Sequence, residues 1–411
     1  MSEFIAESMW PDAPIERSIF GTDDPQAIWG QVLELCPEAV GCFAFAVSVG
    51  ALLGLRLRDG SRVALKVHVK HRAERLEAVQ RIQAHLFEGG FPCPRPLGVR
   101  GRATLEEWRD DGAYLDGHEP AVRRVVATQL AELVRRTDEL DDPGMEPYLP
   151  PPGGPLWPTP HNVLFDFEAT SPGAEWIDEI AAAAKPVRDT RVGRLVVGHG
   201  DWTVKHFRFE GLRPTVIYDW DSLNADFETV FVGNAAASFT YTEHRRVGLW
   251  PTVDEARAFL DEYENACDRP FTPEERVAAE AAAVYSRGYS TRCTHAVGKD
   301  TSRMGLRDYA EAFLYRIEAA SRRASALVIG PSIRSVTLPY AHTSTFPATR
   351  TCFSRSRPCE SKYMTTWGAP WIHMPLWSLT MTGSRRVCGE TTFFVKPRLL
   401  RASVSTTRGA M

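Results

Sequence analysis

The sequence predicts an α+β protein of two unequal parts, a small β-rich N-terminal lobe and a larger, mainly helical C-terminal lobe. Three observations lead there. Apolar and polar residues alternate through "LLGLRLRDGSRVALKVH" on both sides of Asp59-Gly60, the dipeptide that supplies positive φ angles to a tight hairpin. Helical periodicity then dominates from Ala121 to Arg323. A chain of 411 residues, 44% hydrophobic and 24% charged, is long enough and globular enough in composition for two or three folding units around a sizeable core.

The elements follow in order. "GCFAFAVSVGALLGL", Gly41 to Leu55, falls short of the ~20 residues needed to span a bilayer and reads as two buried strands. In the strand after Asp59-Gly60, Val63, Leu65 and Val67 point one way, so Ala64, Lys66 and His68 point the other. "RAERLEAVQRIQAHLFEGG" places Leu76, Val79, Ile82, Leu86 and Phe87 at helical spacing, and Gly89-Gly90 ends that helix. "FPCPRPLGV" breaks the pattern and leads into a strand near Ala103 to Trp108.

The helical part opens with Ala121 to Thr137. Asp141 to Asn162, rich in Pro and Gly, is expected to be a surface connection or lid. Helices are predicted at Ala174 to Lys185, Asp226 to Tyr241, Val253 to Cys267, Pro273 to Tyr289 and Leu306 to Arg323. The chain thus divides into residues 1–110, 111–324 and a basic tail, 325–411. That tail holds 11 Lys and Arg against 2 Asp and Glu, and 24 of its 87 residues are Ser or Thr. It reads as a poorly ordered extension, with a phosphate-contacting arm as the functional alternative.

"MSEFIAESMW" carries acids where a secretory signal has a basic segment, and the eight cysteines are scattered without a CxxC pair. A cytoplasmic protein is expected, with no membrane association and no nucleic acid as partner.

The chemistry gathers in two stretches, "HGDWTVKHF" at His199 to Phe207 and "TVIYDWDSL" at Thr215 to Leu223. "RLVVGHGD" runs from apolar residues into a glycine turn, as a strand does when it delivers a side chain to a cleft. The following hairpin returns Asp219 to the neighbourhood of Asp201. Two converging carboxylates suit a phosphate site, one holding Mg²⁺ and the other accepting a hydroxyl proton.

With "HGD" followed by "IYDW", and "VALK" on a strand before a helix, the chain resembles the aminoglycoside phosphotransferase family of small-molecule kinases over about residues 20–324. The resemblance implies a two-lobed protein-kinase-like fold and transfer of the γ-phosphoryl group of ATP to a small-molecule hydroxyl. It implies that Asp201 is the catalytic acid–base, Asp219 the Mg²⁺ ligand and Lys66 the contact to the α and β phosphates. A glutamate of the next helix should hold that lysine, Glu77 rather than Glu74. Backbone groups near Glu107 and Trp108 should meet the adenine edge.

This sequence departs from the family pattern at two places. Five residues after Asp201 the pattern calls for Asn, a ligand of a second Mg²⁺, and here stands His206. Orienting Asp201, binding phosphate when protonated and coordinating another metal are all open to it. A nucleotide-binding pseudoenzyme acting as sensor or scaffold is the alternative to catalysis. The second departure is the missing glycine-rich loop, with only Gly50 and Gly54 in "SVGALLGL". The acceptor is left open between an aminoglycoside-like compound, an amino alcohol and a sugar. The acidic helix Val253 to Asp268 offers either a site for a cationic acceptor or a solvated face.

Overall fold

A computed structural model describes residues 14–328, except 70, 141–143, 148–153, 243–249 and 268, with no side chains described after 317. Apart from residues 325–328, the Ser/Thr-rich tail lies outside these residues.

Two short helices, α1 (Pro14–Phe20) and α2 (Pro25–Leu35), precede a five-stranded sheet of β1 (Ala39–Val47), β2 (Ala51–Leu57), β3 (Arg62–Val67), β4 (Pro96–Arg100) and β5 (Ala103–Glu107), with α3 (Ala73–Glu88) between β3 and β4. The strand order is β1-β2-β3-β5-β4 and every pairing is antiparallel. Side-chain alternation then fixes two faces. Leu53, Leu55, Val63, Leu65, Val67, Ala103 and Leu105 face α1 and α2, where Ile19, Phe20, Ile28 and Val32 complete a buried cluster. Leu52, Ala64, Lys66, Thr104 and Glu106, paired in register across β2, β3 and β5, share the opposite face.

The second part holds α4 (Pro120–Thr137), α5 (Glu175–Arg188), β6 (Leu195–His199), the hairpin β7 (Phe207–Glu210) and β8 (Arg213–Ile217), and β9 (Leu223–Phe227). Helices α6 (Glu228–Ala236), α7 (Val253–Ala266), α8 (Pro273–Ala296) and α9 (Leu306–Val328) follow. Its core is continuous with the inward face of α3, since Val79, Ile82 and Leu86 join Leu130, Trp202, Phe207, Phe259 and Tyr263 in one cluster. Residues 226 and 227, expected to start a helix, instead end β9, which pairs antiparallel with β6.

Helices α7 and α8 begin with capping boxes, Thr252 with Glu255 and Thr272 with Glu275, each satisfying two otherwise orphaned backbone donors. Helix α6 lies close against α8: a Cβ on Gly233 would stand 2.2 Å from the Ala279 carbonyl oxygen. Among the described residues no helix is long and apolar enough to cross a membrane.

Candidate active site

Lys66 enters the cleft from β3, opposite Thr104 on β5. Its Nζ forms ion pairs with one carboxylate oxygen each of Asp219 and Asp221. Burial alone would lower the Lys66 pKa, but the two carboxylates reverse the effect and hold it above its ordinary value. The same pairing keeps Asp221 ionised, well below the carboxylate range, against a burial cost that pushes the other way. His68, also buried, places Nδ1 3.4 Å from the second oxygen of Asp221 and Nε2 3.0 Å from Thr104 Oγ1.

Asp219 sits at the end of β8 with φ 72° and ψ 41°, a left-handed conformation that a non-glycine residue adopts only when its surroundings impose it. The 3₁₀ turn after it, Trp220–Ser222, supplies two constraints: Ser222 Oγ donates to Asp219 Oδ2 at 2.6 Å, and the buried Trp220 indole donates to the Ile217 carbonyl at 2.7 Å.

Asp201 follows β6 and is 3% exposed. Its backbone N–H donates to His199 Nδ1 at 3.2 Å, so the Nε2–H of His199 donates to the Tyr218 carbonyl at 3.2 Å. Burial lowers the His199 pKa to about 4, and a neutral imidazole with both nitrogens engaged braces the loop. Its ring packs edge-on between Trp202 and Trp220, and Trp202 anchors to the Val126 carbonyl at 2.8 Å.

His206 Nε2 lies 3.0 Å from Asp201 Oδ2 and 3.7 Å from Asp219 Oδ2. Asp201, His206 and Asp219 each bring one donor atom into a group whose members are within 4.8 Å of one another. Two carboxylates suit a hard divalent cation, whereas the imidazole is the poorer ligand. The donor set therefore fits a divalent metal held chiefly by carboxylate. Lys205, not singled out in the sequence, reaches the same oxygen of Asp201 from 2.7 Å.

One expectation is corrected. Glu77 is exposed, and Lys66 is held by Asp221 instead. The inward stripe of α3 is Leu76, Val79, Gln80 and Gln83, and residue 77 falls about 100° off it. The backbone N–H groups of Glu107 and Trp108, expected near the adenine edge, are engaged inside the small lobe. The first donates to the Arg95 carbonyl at 2.9 Å and the second to the Arg62 carbonyl at 3.2 Å. The Trp108 ring does border the cleft face, where a Cβ on Gly54 would come within 2.9 Å of it and Phe43 meets it edge-on at 4.8 Å.

Glu106 was missed. It lies on the Lys66 face of β5 and accepts from Gln83 Nε2 at 2.8 Å, and burial pushes its pKa up to about 7. Asp221, the second acid of "YDWD", was missed as well; the hairpin geometry brings it to Lys66.

Residues 157–162, the described end of the proline-rich connection, reach from α8 to the β1–β2 turn. Trp157 packs on Tyr285 and Tyr289 of α8, and Asn162 Nδ2 donates to the Ser48 carbonyl in the β1–β2 turn at 3.1 Å. The carboxylates of α7 are largely taken up by internal pairs: Glu262 with Arg123 at 3.0 Å, Glu255 with His118 at 2.7 Å and Glu264 with Arg276 at 2.5 Å. A separate cavity of about 380 Å³, lined by Phe87, Phe91, Arg109, Gln129 and Thr215 among others, contains none of the charged residues of the site.

Comparison with known proteins places these residues in a family. The model of the phosphotransferase enzyme family matches residues 55–270. No curated protein sequence matches. Among solved structures, the chain is similar to an amicoumacin kinase in complex with AMP-PNP, Ca²⁺ and Ami (TM-score 0.49, 9% identity, 73% of this chain and 94% of that one). A Plasmodium vivax ethanolamine kinase (TM-score 0.41, 12% identity, 67% and 81%) and a choline/ethanolamine kinase family protein from Mesorhizobium loti (TM-score 0.41, 13% identity, 72% and 95%) are similar too. Lys66, Asp201 and Asp219 all fall within the matched span, and the chain belongs to the phosphotransferase enzyme family of small-molecule kinases.

Proposed function

We propose that this protein transfers the γ-phosphoryl group of ATP to a hydroxyl of a small molecule. The observation that carries the reading is the junction of the Lys66–Asp219 pair with the Asp201–His206 pair. It brings together in one cleft an ammonium suited to phosphate, a carboxylate suited to a metal and a buried carboxylate suited to act as base. Asp201, oriented by His199, His206 and Lys205, takes the proton of the acceptor hydroxyl. Lys66 shifts from Asp219 and Asp221 towards the α and β phosphates, and Asp219 is then the residue to hold Mg²⁺. When bound, Mg²⁺ neutralises charge on the phosphates. Positioning and electrostatic stabilisation do most of the work in such a transfer, because the group passes through a loose transition state with its charge spread over equatorial oxygens.

The pairing of the α7 carboxylates favours a neutral or weakly charged acceptor such as a sugar or amino alcohol over a polycation. The test is ATP consumption with Mg²⁺ or Mn²⁺ across aminoglycosides, amino alcohols, sugars and nucleosides. Acceptor-dependent ADP release supports the reading. Tight ATP binding without turnover under any acceptor or metal selects a nucleotide-binding pseudoenzyme instead.

A further inference from the structure

We propose that the site works with one divalent cation, held at Asp219, and that the ammonium of Lys205 supplies the second positive charge where the phosphoryl group passes. This rests on the phosphotransferase reading and goes beyond it. The argument starts from Asp201 Oδ2, one of the oxygens within reach of an ion bound among Asp201, His206 and Asp219. It already receives Lys205 Nζ at 2.7 Å and His206 Nε2 at 3.0 Å.

A cation bound to that oxygen would sit at ~2.1 Å from it, the Mg²⁺–oxygen distance, and so within about 5 Å of the ammonium. At such separations a dication and an ammonium repel twice as strongly as two unit charges, in a cleft where the effective dielectric is far below that of water.

Lys205 is not a solvated lysine that would swing away. Its side chain is 11% exposed, its Nζ lies 5.5 Å from the centroid of the Tyr241 ring, and its backbone N–H donates to the Tyr241 carbonyl at 3.2 Å. The turn Val204–His206 places Lys205 and His206 side by side on Asp201. His206, with Nε2 aimed at two carboxylates, serves as a donor there and not as a ligand.

In the step itself the acceptor oxygen bonds to the γ phosphorus and the bond to the β,γ-bridging oxygen breaks, its electron pair leaving on ADP. The hydroxyl proton goes to Asp201. Lys205 stays charged throughout and balances the charge that a second metal would otherwise offset.

The test counts Mn²⁺ bound in the presence of AMP-PNP, from the electron paramagnetic resonance signal of free Mn²⁺, with AMP-PNP binding measured separately by calorimetry. The wild type is expected to bind one Mn²⁺ per nucleotide. Lys205→Gln keeps a donor to Asp201 but removes the charge, and is expected to bind two; Lys205→Arg stays at one. Turnover of Lys205→Gln falls at least tenfold at low metal and recovers in part as Mn²⁺ is raised, a recovery the wild type lacks.

Two ions per nucleotide in the wild type overturn the proposal on their own, whether or not the variants fold. One ion in both wild type and Lys205→Gln overturns the part assigned to Lys205. Failure to bind AMP-PNP at all overturns the phosphotransferase reading, and this inference with it.

Discussion

Lys66 and Asp219 are 153 residues apart in the chain and are joined by an ion pair across the cleft, with Asp221 on the same ammonium. The pair ties the β-sheet to the hairpin that carries the second acid, alongside the α3 side chains that join the core of the second part.

Removing that cation leaves two carboxylates facing each other in a largely buried place, the arrangement in which breaking an ion pair is costly. Lys66→Met is expected to lower stability by about 3–5 kcal/mol and to abolish tight ATP binding. Lys66→Met/Asp221→Asn should recover part of the stability and none of the binding. Urea unfolding and calorimetry separate the two effects; full recovery of ATP affinity in the double variant contradicts the role given to Lys66.

Glu77 makes the opposite case. Exposed on α3, it should tolerate Glu77→Ala with a change within about 0.5 kcal/mol and an unchanged ATP affinity. A severalfold loss of affinity in a binding titration would restore the lysine–glutamate tether that the sequence suggests.

The contrast between these residues shows how far the sequence could be read. Lys66 was legible because strand alternation forces Ala64, Lys66 and His68 onto one face, and the turn at Asp59-Gly60 fixes the register of β2 and β3. The hairpin of β7 and β8 was legible from its turn residues, and with it the return of Asp219. What alternation and helical periodicity could not give was rotation about an axis or contact across the cleft. Glu77 directly follows Leu76, on the buried stripe of α3, and nothing local in "YDWD" says that Asp221 turns back to Lys66. The helices α1 and α2 went unread although Asp24 caps α2 through the N–H groups of Gln26 and Ala27. They are short, and only the apolar outer face of the sheet gives Ile28 and Val32 something to cover.

Glu106 predicts a pH dependence. Its folded pKa, raised to about 7 from 4.5 by burial, means that the folded state keeps a proton that the unfolded chain releases above pH 4.5. Stability from this group is present below pH 4.5 and is lost as pH rises to about 7, by at most about 3 kcal/mol. Glu106→Gln retains an acceptor for Gln83 and removes the loss, so its thermal midpoint should exceed that of the wild type at pH 8 and match it near pH 4.5. Equal midpoints at pH 8 contradict the assignment.

Asn162 connects the proline-rich segment to the turn above the cleft through the Ser48 carbonyl. A neutral hydrogen bond of this kind contributes ~0.5–1.5 kcal/mol, so Asn162→Ala should weaken ATP binding roughly two- to tenfold by loosening the β1–β2 turn. The effect should appear as a faster dissociation rate in stopped-flow displacement. An unchanged rate would show that the turn is held without Asn162.

The most direct measurement of the central claim is γ-phosphoryl transfer by Asp201→Asn, made alongside its affinity for ATP. The account predicts a loss of turnover of about 10²–10⁴-fold, the range for a positioned acid–base group, with ATP affinity within about threefold of the wild type because Lys66 and Asp219 are untouched. Wild-type turnover in Asp201→Asn, with its fold intact, would contradict the assignment of Asp201 as the base.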